Sequence, residues 1–588
     1  MTLTRRGAPP RRGHAWRPAS ADPLRRGPAT GRFRLVPPLP ADAPRQTPAL
    51  LAATLAMAGF YLVVGAWLTF DLRLYNVEAM GRTVDAWQVF KGGNWDTVAF
   101  SLLLPPLPTV LRVPLGALPL LRADGFAGNV LTALAGAAAF LALGRILIQL
   151  GTPPPARLIL LTAFAVNPLV WLYGANGASD LVYVALILWS VDQALSLAAL
   201  PSASAGLPGG PSALERQTPV QQIIVMGFCA GFAALTKWSG LAFILLWGVV
   251  IVVLATRART GSLGLQSVAI LYALPPAFAI GLWVLGATLL AGNPLYPLLH
   301  LDQAAVRSGV ADPTLARELG VAIRIATPFD LVAGLGGLLA LTQPVALVLL
   351  AVLGVAALTG DRSAAILAAA TATQVVALLL GVTVRRAPFA LADLLLLTPL
   401  SLAAIGWLTV KLTAARRSGH TVFAPRLAAI LALALALPGP ILAAVAMRQA
   451  DEPGQWPRQF LGAITGAVTG SGGKPDVWRP QRELAVGLGR LEGKVLLDDL
   501  AGYRFVFLSG RPDRFVTRAD TEFEQAVQSP VGLVSHLLVP AAGLATPADL
   551  ITEAWPNLPV SGAVWATPAP GWPTAGWQLF RITRGTAG

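Results

Sequence analysis

Charged residues and cysteine are both scarce in this sequence. Of its 588 residues, only 12% are Asp, Glu, Lys or Arg, and Cys229 is the single cysteine. A soluble domain usually carries about 25% charged residues, so the composition excludes an ordinary soluble enzyme. One cysteine also excludes an intrachain disulfide. The residues that take the place of charge are apolar, since 55% of the chain is hydrophobic and the mean hydropathy is +0.63.

Several catalytic motifs are missing as well. The sequence contains no Walker A motif, no nucleotide-binding Gly-rich loop after a strand, no Cys/His zinc cluster and no Gly-x-Ser-x-Gly. Direct use of ATP is therefore not expected. A membrane enzyme that uses no nucleotide would need a group-transfer substrate that is already activated.

Apolar runs of about 20 residues recur along the chain, and each is long enough to cross a bilayer. Eleven such runs predict a mainly α fold, a polytopic bundle of transmembrane helices over 48–447. The predicted spans lie near 48–70, 126–149, 157–174, 179–200, 221–236, 239–256, 266–291, 330–358, 363–384, 388–411 and 425–447. The segment 107–121 has three prolines and Arg112, and we interpret it as a juxtamembrane or re-entrant helix.

The net charge of +15 is concentrated at the start of the chain. Residues 1–47 hold ten arginines and two acids, whereas 448–588 hold 13 basic and 13 acidic residues. A Pro- and Arg-rich tail before a hydrophobic span indicates a disordered cytoplasmic N-terminus rather than a nucleic-acid site. Eleven crossings of the cytoplasmic (inner) membrane then place the loops 71–125 and 292–329 and the C-terminal region on the outer face.

The C-terminal region changes composition sharply. Residues 448–480 are predicted to be a linker, and 481–588 a small extracytoplasmic α/β domain, because strand-like and helix-like segments alternate. The predicted strands are KVLLDD, RFVFLSG, RFVTRAD, SHLLVPA and GWQLFRITR, and the predicted helices are DTEFEQAVQ and TPADLITEAW, starting at Asp520 and Thr546.

The first outer loop carries candidate catalytic carboxylates. Glu78, Arg82 and Asp85 are spaced i, i+4 and i+7, so they share one face of a helix. Either Glu78 or Asp85 is a candidate general base, positioned by Arg82, and the alternative is a solvated surface helix. Within the spans, Asp192 is expected to pair inside the bundle because an unpaired charge in a bilayer is costly.

Three cations and two further side chains complete the candidate set. Arg385 and Arg386 fall on the outer side, where positive charge is under-represented, and they are candidates for binding a phosphate. The alternatives are interfacial snorkelling or pairing with Asp393. Lys237 is a weaker phosphate-binding candidate on the same argument. In the second outer loop, His300 and Asp302, with an acid from the first loop, form a candidate site for a divalent metal ion.

The order of motifs resembles the GT-C superfamily of polytopic glycosyltransferases, which includes protein O-mannosyltransferases and the aminoarabinose transferase of lipid A. Glu78 stands at the family's acidic motif, Gly93-Asn94-Trp95 at its Gly-Asp-Trp-like turn, and Pro105-Pro106-Leu107-Pro108 at its Lys/His-Pro-Pro-Leu motif. The segment NPLVWLYGANGASDLVYVALILW resembles the third and fourth spans, where Asp180 opens a helix after an outer turn.

The resemblance implies an inverting sugar transfer from a polyprenyl-phosphate donor to a glycan, lipid or protein acceptor. Two positions differ, since Val77 replaces one acid of the family's pair and Leu104 replaces the Lys or His before the prolines. Either the donor-phosphate contact comes from elsewhere, or this member is not catalytic. A transporter or flippase of lipid-linked precursors and a non-catalytic envelope-assembly protein remain alternative functions.

Overall fold

The computed structural model describes most of the chain after residue 46, and the described part is mostly helical with one small sheet. The described residues are 47–92, 103–199, 213–257, 264–309, 313, 344–385, 390–415, 423–450, 457–469, 477–543, 549–572 and 576–583. The first helices are α1 Thr47–Ala66, α2 Val77–Gly92, α3 Leu107–Gly116, α4 Pro119–Arg122, α5 Phe126–Gln149, α6 Pro154–Ala165, α7 Pro168–Ala175, α8 Asp180–Ala198, α9 Ala213–Ala234, α10 Ser239–Arg257, α11 Leu265–Ala291, α12 Tyr296–Leu299 and α13 Leu301–Arg307. They are followed by α14 Pro344–Leu358, α15 Arg362–Arg385, α16 Leu397–Ala415, α17 Phe423–Ala436, α18 Pro438–Gln449, α19 Pro457–Thr469, α20 Arg479–Arg490, α21 Asp499–Ser509, α22 Phe523–Gln528, α23 Leu550–Ala554 and α24 Leu558–Ser561.

The helices are long and apolar enough for a multi-pass membrane protein. Seven described segments meet that standard: Pro48–Asp71, Phe126–Gln149, Asp180–Ala198, Leu265–Ala291, Arg362–Leu380, Leu391–Ala414 and Pro425–Gln449. Each coincides with a predicted span. The other four predicted spans correspond to the α6–α7 pair and to three shorter apolar helices, Pro219–Ala234, Ser239–Leu254 and Val348–Leu358. The predicted segment 330–343 lies outside the described residues.

The α6–α7 pair is broken rather than continuous, with a bend of 58°. The break falls at Asn167-Pro168, where proline lacks the N–H that would continue the helical hydrogen bonds. The Asn167 side chain caps the new helix by accepting a hydrogen bond from the Leu169 N–H at 2.9 Å. Proline and cap together end one helix and start the next.

A charged pair is buried among the spans. The Arg145 Nε donates to the Asp192 carboxylate at 3.1 Å, and Gln149 donates to its other oxygen at 2.6 Å. Asp192 and Arg145 are both almost fully buried. The expectation that Asp192 pairs within the bundle is confirmed, and its carboxylate is compensated as a buried charge must be.

The C-terminal region folds around a five-stranded sheet of order β2-β1-β3-β5-β4. The strands are β1 Val495–Leu497, β2 Phe515–Val516, β3 His536–Pro540, β4 Ala566–Pro568 and β5 Trp577–Ile582. β1 pairs in parallel with β2 and β3, and β5 runs antiparallel to β3 and β4. Four of the five predicted strands are present.

The prediction of a strand for RFVFLSG was wrong, because these residues belong to helix α21. The Asp498 side chain accepts a hydrogen bond from the Leu500 N–H at 3.0 Å and so caps the helix. Gly510 ends it with a φ of 64°, a left-handed conformation that favours glycine. The Phe and Val residues that suggested a strand are buried on this helix, which shows tertiary packing overriding local propensity.

Three further predictions for this region differ from the structure. The predicted linker contains α19, which buries Phe460 and Ala463 and therefore packs on the rest of the protein. The helix expected to start at Thr546 begins after Asp549, whose carboxylate accepts from the Thr552 N–H at 2.8 Å. The helix expected to start at Asp520 begins at Phe523.

Candidate active site

A cavity of ≈ 680 Å³, counted with the open solvent at its mouth, brings together parts of the chain that are far apart in sequence. Its walls come from the start of α2, the Leu104-Pro105 segment, the turn before α8, the turn before α10, and α13. The polar groups that line it are Glu78, Arg82, Ser179, Thr236, Lys237, Ser239, Ser308 and Asp393. We call this the Glu78 cavity.

Glu78 lies in the first turn of α2, which starts there because the Asn76 side chain accepts a hydrogen bond from the Ala79 N–H at 3.1 Å. Its Oε1 accepts from Arg82 Nε at 2.7 Å and from the Ser179 hydroxyl at 2.6 Å. Burial of the carboxyl raises its pKa, but Arg82, the Ser179 hydroxyl and Lys237 outweigh this and lower the pKa to about 2. The carboxylate is therefore ionised at physiological pH.

Lys237 enters the cavity from the turn between α9 and α10. Its ammonium pairs with the Asp180 carboxylate and lies 3.8 Å from Asp393. Burial disfavours the ammonium, but the Asp180 and Asp393 carboxylates outweigh it and raise the pKa of Lys237. The side chain is still 19% exposed, so a charged, partly accessible cation faces the cavity.

The proline motif lies against the same turn. The Leu107 N–H donates to the Leu235 carbonyl at 2.8 Å, and Leu104 and Lys237 line one cavity. Leu104 is the position at which the family resemblance places a cation. Leu104 and Lys237, from distant parts of the chain, therefore line the same cavity.

Buried arginines hold these elements in place. The Arg82 Nη1 donates to the Pro105 carbonyl at 2.8 Å and to the Thr109 hydroxyl at 3.3 Å. Arg112, in the segment predicted to be juxtamembrane, donates to the Ala79 carbonyl at 2.9 Å and to the Gly177 carbonyl. The start of α2 is thereby tied to the proline motif on one side and to the turn before α8 on the other.

Asp85, the second candidate base, is in a different environment. It pairs with Arg307 at the end of α13, and Arg307 also donates to the Asp499 backbone carbonyl and lies 3.6 Å from the Asp499 carboxylate. The Arg307 guanidinium also lies over the ring of Tyr503, 4.7 Å from its centroid. Asp85 does not line the Glu78 cavity. Its contacts tie α2 and α13 to α21 of the C-terminal region.

The structure describes the candidate residues Arg385 and Arg386 only in part. Leu378 of α15 lines the cavity, and the Cα of Arg385 is about 10 Å further along that helix at 1.5 Å per residue. The Arg385 side chain and all of Arg386 lie outside the described residues. Asp393, the suggested partner of these arginines, lies 3.8 Å from Lys237.

The metal-site residues are not gathered at the cavity. The His300 ring stacks on Tyr296 with 4.0 Å between centroids, and its Nδ1 is 2.8 Å from the Tyr296 carbonyl. Asp302 is exposed. In the part of the chain that the structure describes, no group of three or more His, Cys, Asp and Glu side chains is placed to hold a metal ion.

Three important residues were not among the sequence candidates. Ser179 is an ordinary turn residue by sequence, although the resemblance already pointed to its neighbour Asp180. No sequence pattern indicated the ion pair of Arg307, because its carboxylate partner Asp85 is 222 residues away. Asp393 was considered only as a partner for the neighbouring arginines. Each acquires its role through contacts between distant parts of the chain.

No protein-family model and no curated protein sequence matches this chain. Solved structures do match. ArnT from Cupriavidus metallidurans bound to undecaprenyl phosphate aligns with 92% of this chain and 99% of its own, at a TM-score of 0.51 and 15% identity. The archaeal oligosaccharyltransferase AglB from Archaeoglobus fulgidus, in complex with an inhibitory peptide and a dolichol-phosphate, aligns with 83% of this chain and 69% of its own. The TM-score is 0.46 and the sequence identity is 12%.

The chain shares the fold of ArnT. The resemblance inferred from the motif order is thereby confirmed at the level of the fold. The alignment covers nearly all of ArnT, so the likeness includes the C-terminal region as well as the helical bundle.

Proposed function

We propose that the chain is a membrane glycosyltransferase that moves a sugar from a polyprenyl-phosphate donor to an acceptor hydroxyl at the outer face of the cytoplasmic membrane. The acceptor is a glycan, a lipid or a protein. The observation that carries the proposal is the Glu78 cavity in a GT-C fold, where a carboxylate and an ammonium face one space. ArnT, which shares the fold, binds undecaprenyl phosphate.

Glu78 is the proposed general base. The acceptor oxygen attacks the anomeric carbon of the sugar, and its proton passes to the Glu78 carboxylate. The bond between that carbon and the phosphate oxygen breaks, and its electron pair stays on the phosphate. A single displacement of this kind inverts the configuration at the sugar.

Lys237 is the proposed phosphate contact. Negative charge grows on the phosphate as the sugar leaves, and a fixed cation in a partly buried site stabilises it more than water does. The support for this role is that the ammonium lines the same cavity as Leu104, the position at which the resemblance expects a cation. Arg385 and Arg386 remain proposed phosphate contacts on the sequence argument alone.

The basicity of Glu78 in the proposed site depends on whether the donor is bound. A carboxylate with a pKa of about 2 is ionised but is a weak base. A donor phosphate near Lys237 would offset the positive charge that lowers this pKa, so the Glu78 pKa rises and its basicity increases. The carboxylate would then gain basicity when the donor is bound.

The proposed donor site is tested by moving its cation from position 237 to position 104. Lys237→Gln is expected to lower kcat/KM for a synthetic polyprenyl-phosphate sugar by about 10²- to 10³-fold, the usual cost of removing one group that stabilises a developing anion. Adding Leu104→Lys restores a cation at the same cavity, and the double variant is expected to recover at least tenfold of the loss. Transfer is measured with the full chain in proteoliposomes.

Two controls separate this role from a purely structural one. Lys237→Arg keeps the charge beside Asp180 and Asp393, and should retain more activity than Lys237→Gln at similar thermal stability. Leu104→Lys alone tests whether the added lysine harms the fold. If the double variant is no more active than Lys237→Gln while both remain folded, Lys237 does not serve the donor phosphate.

A further inference from the structure

A second concave surface lies on α20, and none of its residues lines the Glu78 cavity. It encloses ≈ 940 Å³, again counted with the open solvent at its mouth. Four arginines and one acid form its polar lining: Arg73, Arg479, Arg482, Arg490 and Glu483. We call it the arginine groove, and its ionised side chains sum to +3.

The sequence of α20 explains why these side chains share one surface. Positions 479, 482, 483, 486, 487 and 490 recur every three or four residues, so they form one face of the helix. Leu484, Ala485 and Leu488 on the other face are buried. Burial of this apolar face fixes the helix and leaves the arginine face outward.

Arg73 brings the groove to the end of a membrane span. It follows the span Pro48–Asp71 by two residues and is exposed. Its φ is 53°, in the left-handed region that residues other than glycine rarely adopt. Strained backbone persists where the surrounding structure or a function maintains it, and here it holds an exposed arginine next to α20.

We propose that the arginine groove binds the phosphate headgroup of an anionic membrane lipid. Guanidinium groups bind phosphate oxygens in pairs of hydrogen bonds, and a surface charge of +3 favours an anion. A bilayer lipid fits better than a soluble anion because Arg73 marks the level at which a span leaves the hydrocarbon. The Arg479 Nε donates to Glu483 at 2.9 Å inside the groove, so its net charge of +3 is carried by Arg73, Arg482 and Arg490.

A tryptophan beside the groove supports a site at the membrane interface. The ring of Trp572 packs so closely on Gly487 of α20 that a Cβ there would lie 2.5 Å from it. Tryptophan is enriched at the headgroup level of membranes. Glycine at 487 therefore lets the Trp572 ring approach the arginine face.

The test compares two charge-matched variants of the full chain in detergent, titrated with phosphatidylglycerol and followed by native mass spectrometry. Arg73→Gln, Arg482→Gln and Arg490→Gln together are expected to weaken binding about 100-fold, about fivefold per arginine. Lys494→Gln, Arg511→Gln and Arg581→Gln together remove the same charge from exposed positions in the same region. These three changes should alter binding less than twofold.

Phosphatidylcholine and inorganic phosphate are the comparison ligands. The proposal expects phosphatidylglycerol to bind the wild type at least tenfold more tightly than either. Equal loss in the two triple variants would overturn it by showing a general charge effect. Equal affinity for inorganic phosphate would overturn it in favour of a soluble anion, and equal affinity for phosphatidylcholine would show that the headgroup charge is not recognised.

Arg73→Gly provides a check that does not depend on a loss of folding. Glycine adopts a φ of 53° without the penalty of a side chain, so this variant should melt at the same temperature as the wild type or higher. Its phosphatidylglycerol affinity should still fall about fivefold. A stable Arg73→Gly protein with unchanged affinity would remove Arg73 from the proposed site.

Discussion

Glu78→Gln is expected to lower kcat for sugar transfer by about 10²- to 10⁴-fold, the range that a positioned general base contributes. Glutamine keeps the shape of the side chain and can still accept hydrogen bonds from Arg82 and Ser179, but it cannot take a proton. Because Arg82 also donates to Pro105 and Thr109, it keeps partners in the variant. Donor KM should therefore change less than kcat.

The control for Glu78→Gln is Glu524→Gln, the same chemical change at an exposed position on α22. It should leave transfer unchanged. Glu78→Asp keeps the carboxylate one methylene further back and should fall between the wild type and Glu78→Gln. Wild-type transfer rates in a folded Glu78→Gln protein would exclude Glu78 as the base.

The pH dependence of sugar transfer tests the role of Glu78 independently. The pKa of Glu78 is about 2 in the free protein, and kcat/KM reports the free enzyme. In the pH profile of kcat/KM, the fall in rate caused by protonation of Glu78 therefore lies well below pH 4. The donor-bound state, in which the phosphate offsets Lys237, should show its acid limb in kcat at higher pH.

Arg307→Met is expected to destabilise the protein by about 3–5 kcal/mol, the usual cost of removing one partner from a buried charge network. The Arg307 side chain is only 5% exposed. Burial disfavours its charge, but Asp85 and Asp499 outweigh this and raise the pKa of Arg307. Removal of the guanidinium leaves both carboxylates buried without it. Thermal or denaturant unfolding of the purified full chain measures the loss.

The matched control is Arg458→Met, which removes an exposed arginine from α19 and should change stability by less than 0.5 kcal/mol. Adding Asp499→Asn to Arg307→Met should restore part of the stability, because one of the uncompensated charges is removed. If Arg307→Met is no less stable than Arg458→Met, the network does not support the fold as described.

The same arginine links the C-terminal region to the proposed site. Ala304, Ala305 and Ser308 line the Glu78 cavity, and Arg307 precedes Ser308 in the sequence. The helix that carries Glu78 is also held by contacts further along, where Gln88 donates to the Thr517 hydroxyl at 2.9 Å and Lys91 pairs with Asp520 at 2.7 Å. The C-terminal region is thus part of the frame around the cavity.

The helical bundle was predictable because its signal is local. A run of about 20 apolar residues identifies a span without knowledge of its neighbours, and the seven long spans coincide with predictions. Local signals failed for α21, where the alternation of Phe and Val indicated a strand. The Asp498 cap and the Gly510 terminus are the local signals that define this segment as a helix.

The site was predictable only in part, because its charges are paired across long stretches of sequence. Glu78 and Arg82 are one helical turn apart, so their pairing follows from spacing. Lys237 meets Asp180 and Asp393 across 57 and 156 residues, respectively. Only the folded chain shows that Lys237 and Leu104 line the same cavity.

The most direct test of the proposed transferase is the fate of a polyprenyl-phosphate sugar, labelled in the sugar, in proteoliposomes that contain the full chain and an acceptor extract. The account predicts that the donor is cleaved to polyprenyl phosphate, that the label appears on an acceptor with inverted configuration, and that Glu78→Gln slows both by about 10²- to 10⁴-fold. Movement of the intact donor between leaflets without cleavage would contradict it and indicate a flippase. An intact donor that stays in its leaflet would indicate a non-catalytic protein.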